Sequence, residues 1–159
     1  MKKLLAILGA FGLTVTGATT VVACNKWNNK TKDTLGGLKA SDFEKSLLRR
    51  VDDEDTLNIR VITIVANTVK DPEKSKEINM PLFRNAFVVT YKLGDGVTFP
   101  LKKGDKITLT IKKATDVQIK ESYKEDTDRE ISAEFLTVAK KVQGYVSGTE
   151  FSSEITIED

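Results

Sequence analysis

The chain contains no histidine and one cysteine, Cys24. Without imidazole there is no Ser-His-Asp or Cys-His nucleophile, no histidine-containing zinc site and no imidazole general base. One thiol cannot close an intrachain disulfide. The catalysts that remain are carboxylates, lysines and hydroxyls, and no constellation of them is legible, so the expectation is a non-enzymatic chain without metal or cofactor. An excess of charge of one sign is also lacking. Lys2 and Lys3 supply two of the 25 basic residues, and the remainder of the chain balances 23 acidic residues against the rest. A neutral domain has no electrostatic footprint for nucleic acid, and it has no polybasic patch that would demand anionic lipid.

What the chain does have is a strongly organised beginning, MKKLLAILGAFGLTVTGATTVVAC. Two lysines are followed by an uncharged run from Leu4 to Ala23, which closes on Val21-Val22-Ala23-Cys24. This pattern predicts a secretory signal, residues 1–23, ending in a lipobox. The peptidase needs a small residue before the cut, here Ala23, and the transferase needs one thiol at the membrane surface, here Cys24. Val21 stands where leucine is more usual, which makes this a relaxed form of the box. The competing reading is an uncleaved transmembrane helix, since about twenty apolar residues just span a bilayer. Three glycines and four threonines within Leu4 to Ala23 weaken that span. Both readings place the remainder outside the cell, held at the outer face of the membrane. Acyl chains on Cys24 suffice as an anchor, each buried methylene contributing about 0.8 kcal/mol.

Residues 24–39 are polar, rich in Asn, Lys and Thr, and interrupted by Gly36-Gly37. They read as a tether with an r.m.s. span of about 20 Å. Trp27 either sits in the headgroup layer or is an exposed tether residue. Residues 40–159 have the length of one domain. The expected class is α+β, an antiparallel sheet of about five strands with two short helices, with a β-sandwich carrying irregular helices as the alternative.

The element expectations follow from periodicity. Ser41 and Glu44 form a capping-box pattern ahead of Phe43, Leu47 and Val51, predicting a helix over 40–51 that the acidic run Asp52-Asp53-Glu54-Asp55 terminates. Leu57, Ile59, Val61, Thr63 and Val65 alternate with a second, partly apolar set, predicting a long strand over 57–69. Residues 70–79 read as a charged loop. Ala86 to Leu93 reads as a strand turning at Gly94-Asp95-Gly96 into a second strand over 97–101, with Pro100 near its end. After a turn at 102–105, Ile107, Leu109 and Ile111 predict a one-faced strand over 106–113. Residues 116–123 read as a further short strand and 124–126 as a linker. Thr127 with Glu130 forms a second capping-box pattern opening a helix through Ile131, Phe135, Val138, Ala139 and Val142, stopped by Gly144. Phe151, Ile155 and Ile157 mark a terminal strand.

The signal, MKKLLAILGAFGLTVTGATTVVACNK, resembles those of lipoproteins from helical wall-less (mollicute) bacteria, including the spiralin-type surface lipoproteins. Short segments of the mature chain are also similar to pieces of that family: Ala40-Ser41-Asp42-Phe43, Leu101-Lys102-Lys103-Gly104-Asp105 with the following strand, and Val142-Gln143-Gly144-Tyr145-Val146 leading to Glu150-Phe151. Signals of this type are shared by many different mature domains. The resemblance implies a coat lipoprotein of the outer face in contact with host-surface glycoproteins, with no catalytic residue to carry over. It also implies a strand, not a helix, after Ala40.

Within the mature chain the candidate sites have plain alternatives. Asp52 to Asp55 lacks the D-x-D-x-D-G spacing that wraps calcium, so a solvated turn accounts for it. Residues 125–128, Glu-Asp-Thr-Asp, fit acids at a helix N-terminus. Gly94 and Gly96 serve a turn, since no GK[ST] follows. Glu130 and Glu134 need an opposing group to act as an acid/base pair, and none is identified. Tyr91, Phe99, Tyr123 and Tyr145 form either a carbohydrate platform or core. The function expected is a non-catalytic coat or host-contact module. The alternative is a small solute-binding accessory lipoprotein of a transporter, weakened by the chain's supplying one domain where two lobes are usual.

Overall fold

The computed structural model describes residues 34–48 and 51–158. Helices α1 (Ser41–Leu47), α2 (Glu54–Ala66), α3 (Pro72–Lys76) and α4 (Met80–Asn85) come first, followed by strands β1 (Phe87–Leu93) and β2 (Lys106–Lys113). Helices α5 (Asp116–Thr127) and α6 (Ala133–Gly144) lead to the last strand, β3 (Glu150–Thr156). The class is α+β, as expected, but the described residues hold three strands and six helices where about five strands and two helices were expected, and there is no sandwich.

The sheet is antiparallel in the order β1-β2-β3. Its register pairs Val89 with Ile111 and Tyr91 with Leu109, then Leu109 with Ser153 and Ile111 with Phe151. Ile107, Leu109 and Ile111 are buried on the inner face, as their alternation predicts. The outer face carries Thr110 bonded to Ser152 at 2.8 Å and the cross-strand pairs Lys106–Glu154 and Lys112–Glu150.

The largest correction is α2. Residues 57–69 were expected as a strand, yet they form a helix up to Ala66. Leu57, Val61, Ile62 and Val65 are the buried set, spaced i, i+4, i+5 and i+8. The same run satisfies period 2 and period 3.6, and its cap decides: the Asp53 carboxylate accepts the amide hydrogen of Thr56 at 2.8 Å, with Glu54 and Asp55 in the first turn. Asp52 to Asp55 therefore starts a helix, where acids are favourable, instead of ending one. The helix before it is shorter than expected. Its N-cap is Ala40 without a side-chain bond, so the Ser41–Glu44 capping box is absent; Asp42 accepts from the Lys39 amide instead. Phe43, Leu47 and Val51 are all buried, the last outside the helix.

Four further expectations are corrected. The stretch 70–79 includes α3, capped by Asp71. Residues 97–101 are not a strand: the Gly94 amide bonds to Lys106 O at 2.8 Å, so β1 turns directly onto β2 and 95–105 loops out. That loop is pinned by Leu101 N on Val51 O at 3.0 Å and by Phe99 edge-on to Tyr91 at 5.9 Å. Residues 116–126 are helical because Thr115 and Gln118 make a reciprocal capping box. Thr127 is consequently the end of α5, donating to Tyr123 O, and α6 is capped by Ser132 through the Phe135 amide.

The main core lies between α1, α2 and the inner sheet face, centred on Phe43 stacked against Phe151 at 5.1 Å. Leu35 and Leu38, inside the stretch read as tether, belong to it at 0% and 3% exposure. Thr34 bridges Glu150 in parallel, and the Gly36 amide bonds Ser147 O at 2.8 Å. Gly36 has φ 61°, and a Cβ there would meet Thr68 Oγ1 at 2.6 Å, so this close approach requires glycine. A second cluster, Ala114, Ile119 and Ala139, joins α5 and α6. Gln143 ties α6 to the sheet by donating to Ala86 O at 2.6 Å and Ala114 O at 3.0 Å.

Candidate functional site

Helices α2, α4 and α5 enclose an open cavity of about 340 Å³. Its formation follows from the caps. Asn79 accepts from the Leu82 amide at 3.3 Å and Pro81 occupies the first turn of α4, which sets Met80, Pro81, Arg84 and Asn85 against the cavity. From α2 come Ile59 and Ile62, and from the last turn of α5 Tyr123, Asp126 and Thr127. Ile59 is on the face of α2 away from the core, at 51% exposure, and Met80 stands at 39%. Phe135, 44% exposed, packs on Tyr123 with ring centroids 6.3 Å apart. Among the described residues only four large apolar side chains are exposed; two line this cavity and a third flanks it. These features make the cavity the candidate site, and its volume lies at the lower end of the usual range for small-molecule pockets.

Two polar groups interrupt the apolar wall. Asn85, 2% exposed, donates to Pro81 O at 2.9 Å and accepts from the Ser122 hydroxyl, so it is held rigidly. Arg84 and Asp126 form a salt bridge across the α4–α5 boundary, with side chains 37% and 29% exposed. The site thus offers an apolar surface and one paired positive and negative charge.

A second cluster lies on another surface. Tyr145 donates to the Glu77 carboxylate, Lys141 pairs with Glu77 at 2.7 Å, and the Lys74 ammonium lies 5.8 Å from the Tyr145 ring centroid. Lys141, then Tyr145, hold the Glu77 carboxyl below its usual range. The carboxylate in turn raises Tyr145 and Lys141. At the inner sheet face, burial and then the Glu54 carboxylate push the Tyr91 phenol up. These groups stabilise charged or protonated forms, the reverse of a poised general base.

Cys24 and the residues before it, Val21, Val22 and Ala23, lie outside the described residues, as does Trp27. The other sequence candidates separate in space or take structural roles. The Asp53 carboxylate is a helix cap. No group of three acidic or thiol side chains among the described residues is placed to hold a metal ion. Glu130 precedes α6 and pairs with Lys124 at 2.7 Å, so it is not one turn from Glu134 on a shared helix. The four aromatic residues do not form one platform: Tyr91 meets Phe99, Tyr123 meets Phe135 at the cavity, and Tyr145 meets Glu77. Of the cavity lining, sequence reasoning singled out Tyr123 among the aromatics and Asp126 and Thr127 within the run 125–128, which the structure places at the C-terminal end of α5 and not at a helix N-terminus. The missed signal was Asn79-Met80-Pro81, a cap with proline in the first turn, which announces α4. The pairing of Arg84 with Asp126 carries no sequence signal.

No helix among the described residues is long and apolar enough to cross a membrane. The chain matches no protein-family model, no curated protein and no solved structure.

Proposed function

We infer that the chain is a lipid-anchored domain of the outer membrane face, tethered through acyl chains on Cys24, acting as a non-catalytic binding module. The lipobox Val21-Val22-Ala23-Cys24, set after an uncharged run, carries the anchoring part of this reading. The cavity among α2, α4 and α5 supports the binding part, because three of the four exposed large apolar side chains among the described residues line or flank it. The likeness to spiralin-type coat lipoproteins rests on the signal and short segments, and with it comes host-surface glycoprotein as a partner. A solute-binding accessory role is the second reading, favoured by the cavity's size.

Replacing Cys24 tests the anchor. In Cys24→Ser the thiol that accepts the lipid is gone, so the protein should move from the detergent phase to the aqueous phase in cloud-point partitioning, and metabolic labelling with palmitate should vanish. Unchanged partitioning would overturn the lipid anchor, and full protection of the wild-type domain from trypsin on intact cells would overturn its outward placement.

A further inference from the structure

We propose that the cavity among α2, α4 and α5 binds a free apolar α-amino acid, its side chain on the apolar wall and its two charged groups exchanged into the Arg84–Asp126 pair. This rests on the binding-module reading above and names the ligand class for its site.

The argument begins with charge. Arg84 and Asp126 both line the cavity and bond to one another, so the site is neutral as it stands. A simple anion that engaged Arg84 would compete with Asp126 and leave that carboxylate, 29% exposed, without its cation. A simple cation at Asp126 would strand the guanidinium in the same way. Water screens this partly exposed pair, so the penalty is modest, yet it falls on either simple ion. A zwitterion avoids both penalties: its carboxylate accepts from the guanidinium, which can hold a carboxylate bidentately, while its ammonium donates to Asp126. The exchange replaces one ion pair by two.

The wall decides the rest of the ligand. Ile59, Ile62, Met80 and Pro81 form an apolar stretch of the wall, while Asn85 and the Thr127 hydroxyl are already engaged with Pro81 O, Ser122 and Tyr123 O, so a polar side chain laid on that stretch gains less than an apolar one. An aliphatic or aromatic side chain loses nothing and covers Ile59 and Met80, which are now in solvent. Methionine at the mouth adapts to side chains of different shape. A long peptide is not required by this geometry: the adjacent charges call for a free ammonium and a free carboxylate close together on one small molecule.

The test uses the full chain in detergent micelles and isothermal titration at neutral pH. Three probes share one apolar body: L-phenylalanine, phenethylamine without the carboxylate, and 3-phenylpropionate without the ammonium. L-Phenylalanine should bind saturably and at least tenfold more tightly than either analogue, and L-serine should not bind. Arg84→Gln should weaken L-phenylalanine at least tenfold while strengthening phenethylamine, whose ammonium then meets an unpaired Asp126, and Met80→Gln, at an exposed position with little effect on folding, should weaken all apolar probes. Amide NMR shifts should concentrate at Arg84, Tyr123 and Asp126. Equal binding of all three probes, or binding unaffected by Arg84→Gln, overturns the zwitterion assignment while keeping the pocket; no binding of any probe overturns the proposal. Anchoring is read independently through Cys24→Ser, so failure here and failure of the surface reading are told apart.

Discussion

At the residue scale, the informative groups are those whose partners come from distant parts of the chain. Glu77 follows α3 and meets Lys141 on α6 and Tyr145 just after it. Both partners favour the charged carboxylate, so the folded-state pKa lies below the usual 4.5. A depressed carboxyl stabilises the fold above its unfolded pKa, and that contribution fades as pH falls through the lower folded value. Glu77→Gln should therefore reduce stability at neutral pH by a small amount, because the pair is solvent-exposed, and the difference from the wild type should shrink as pH falls from the usual 4.5 through the lower folded value. Urea midpoints measured from pH 7 down to pH 3 check this; a gap that widens in acid would contradict the assignment. None of this network was legible in the sequence, where Glu77 sits in a charged stretch and Tyr145 reads as one more aromatic. Asn85 was equally silent, since an asparagine between Arg84 and Ala86 gives no sign of being the buried polar anchor of a cavity wall.

At the element scale, the three strands of the sheet were legible, but the strands expected over 57–69, 97–101 and 116–123 are not strands, for a physical reason. The strands β1 and β2 largely alternate apolar and polar residues over seven and eight positions, a pattern no helix buries well, whereas β3 shows only Phe151 and Ile155 with Ser153 between them. The run in α2 is different: Ile and Val occupy positions compatible with either period, and β-branched residues incline the reading towards a strand. Its cap outweighed that inclination, since Asp53 and the two following acids stabilise the helix start. The same kind of information was carried by Thr115-Asp116-Val117-Gln118 and Ser132, where capping side chains start helices one short step after a strand or turn. Asp53→Ala should accordingly cost about 1 kcal/mol, within the usual 0.5–2 kcal/mol for loss of a cap, and Asp53→Ser should recover most of it. Equilibrium unfolding followed by far-UV circular dichroism measures both variants; an Asp53→Ala protein as stable as the parent would mean that the packing of Leu57, Val61 and Val65 alone fixes this helix. The cavity depends on the outcome, because α2 is the element that presents Ile59 and Ile62.

At the scale of the whole molecule, the domain begins earlier than composition indicates. Gly36-Gly37 and the surrounding Asn and Lys residues look like linker, yet Leu35 and Leu38 are buried and the backbone between them passes so close to Thr68 that only glycine fits at 36. This short segment closes the core beside β3: Thr34 bridges Glu150, and Gly36 bonds Ser147 at the approach to that strand. Burying two leucines contributes about 1.5–3 kcal/mol each, a large share of the roughly 5–15 kcal/mol that holds an ordinary domain together. A chain starting at residue 40 should thus be markedly less stable than one starting at 34. The expected loss is at least about 3 kcal/mol, or roughly 10 °C in Tm for a domain of this size. Differential scanning calorimetry of the two proteins makes the comparison. The double variant Leu35→Ala, Leu38→Ala in the longer chain separates lost burial from lost backbone bonds: if it falls as far as the truncation, the two side chains account for the effect, and if it falls little while the truncation falls far, the Thr34 and Gly36 backbone contacts do. Equal Tm for residues 34–159 and 40–159 would show that the segment rests on a core complete without it.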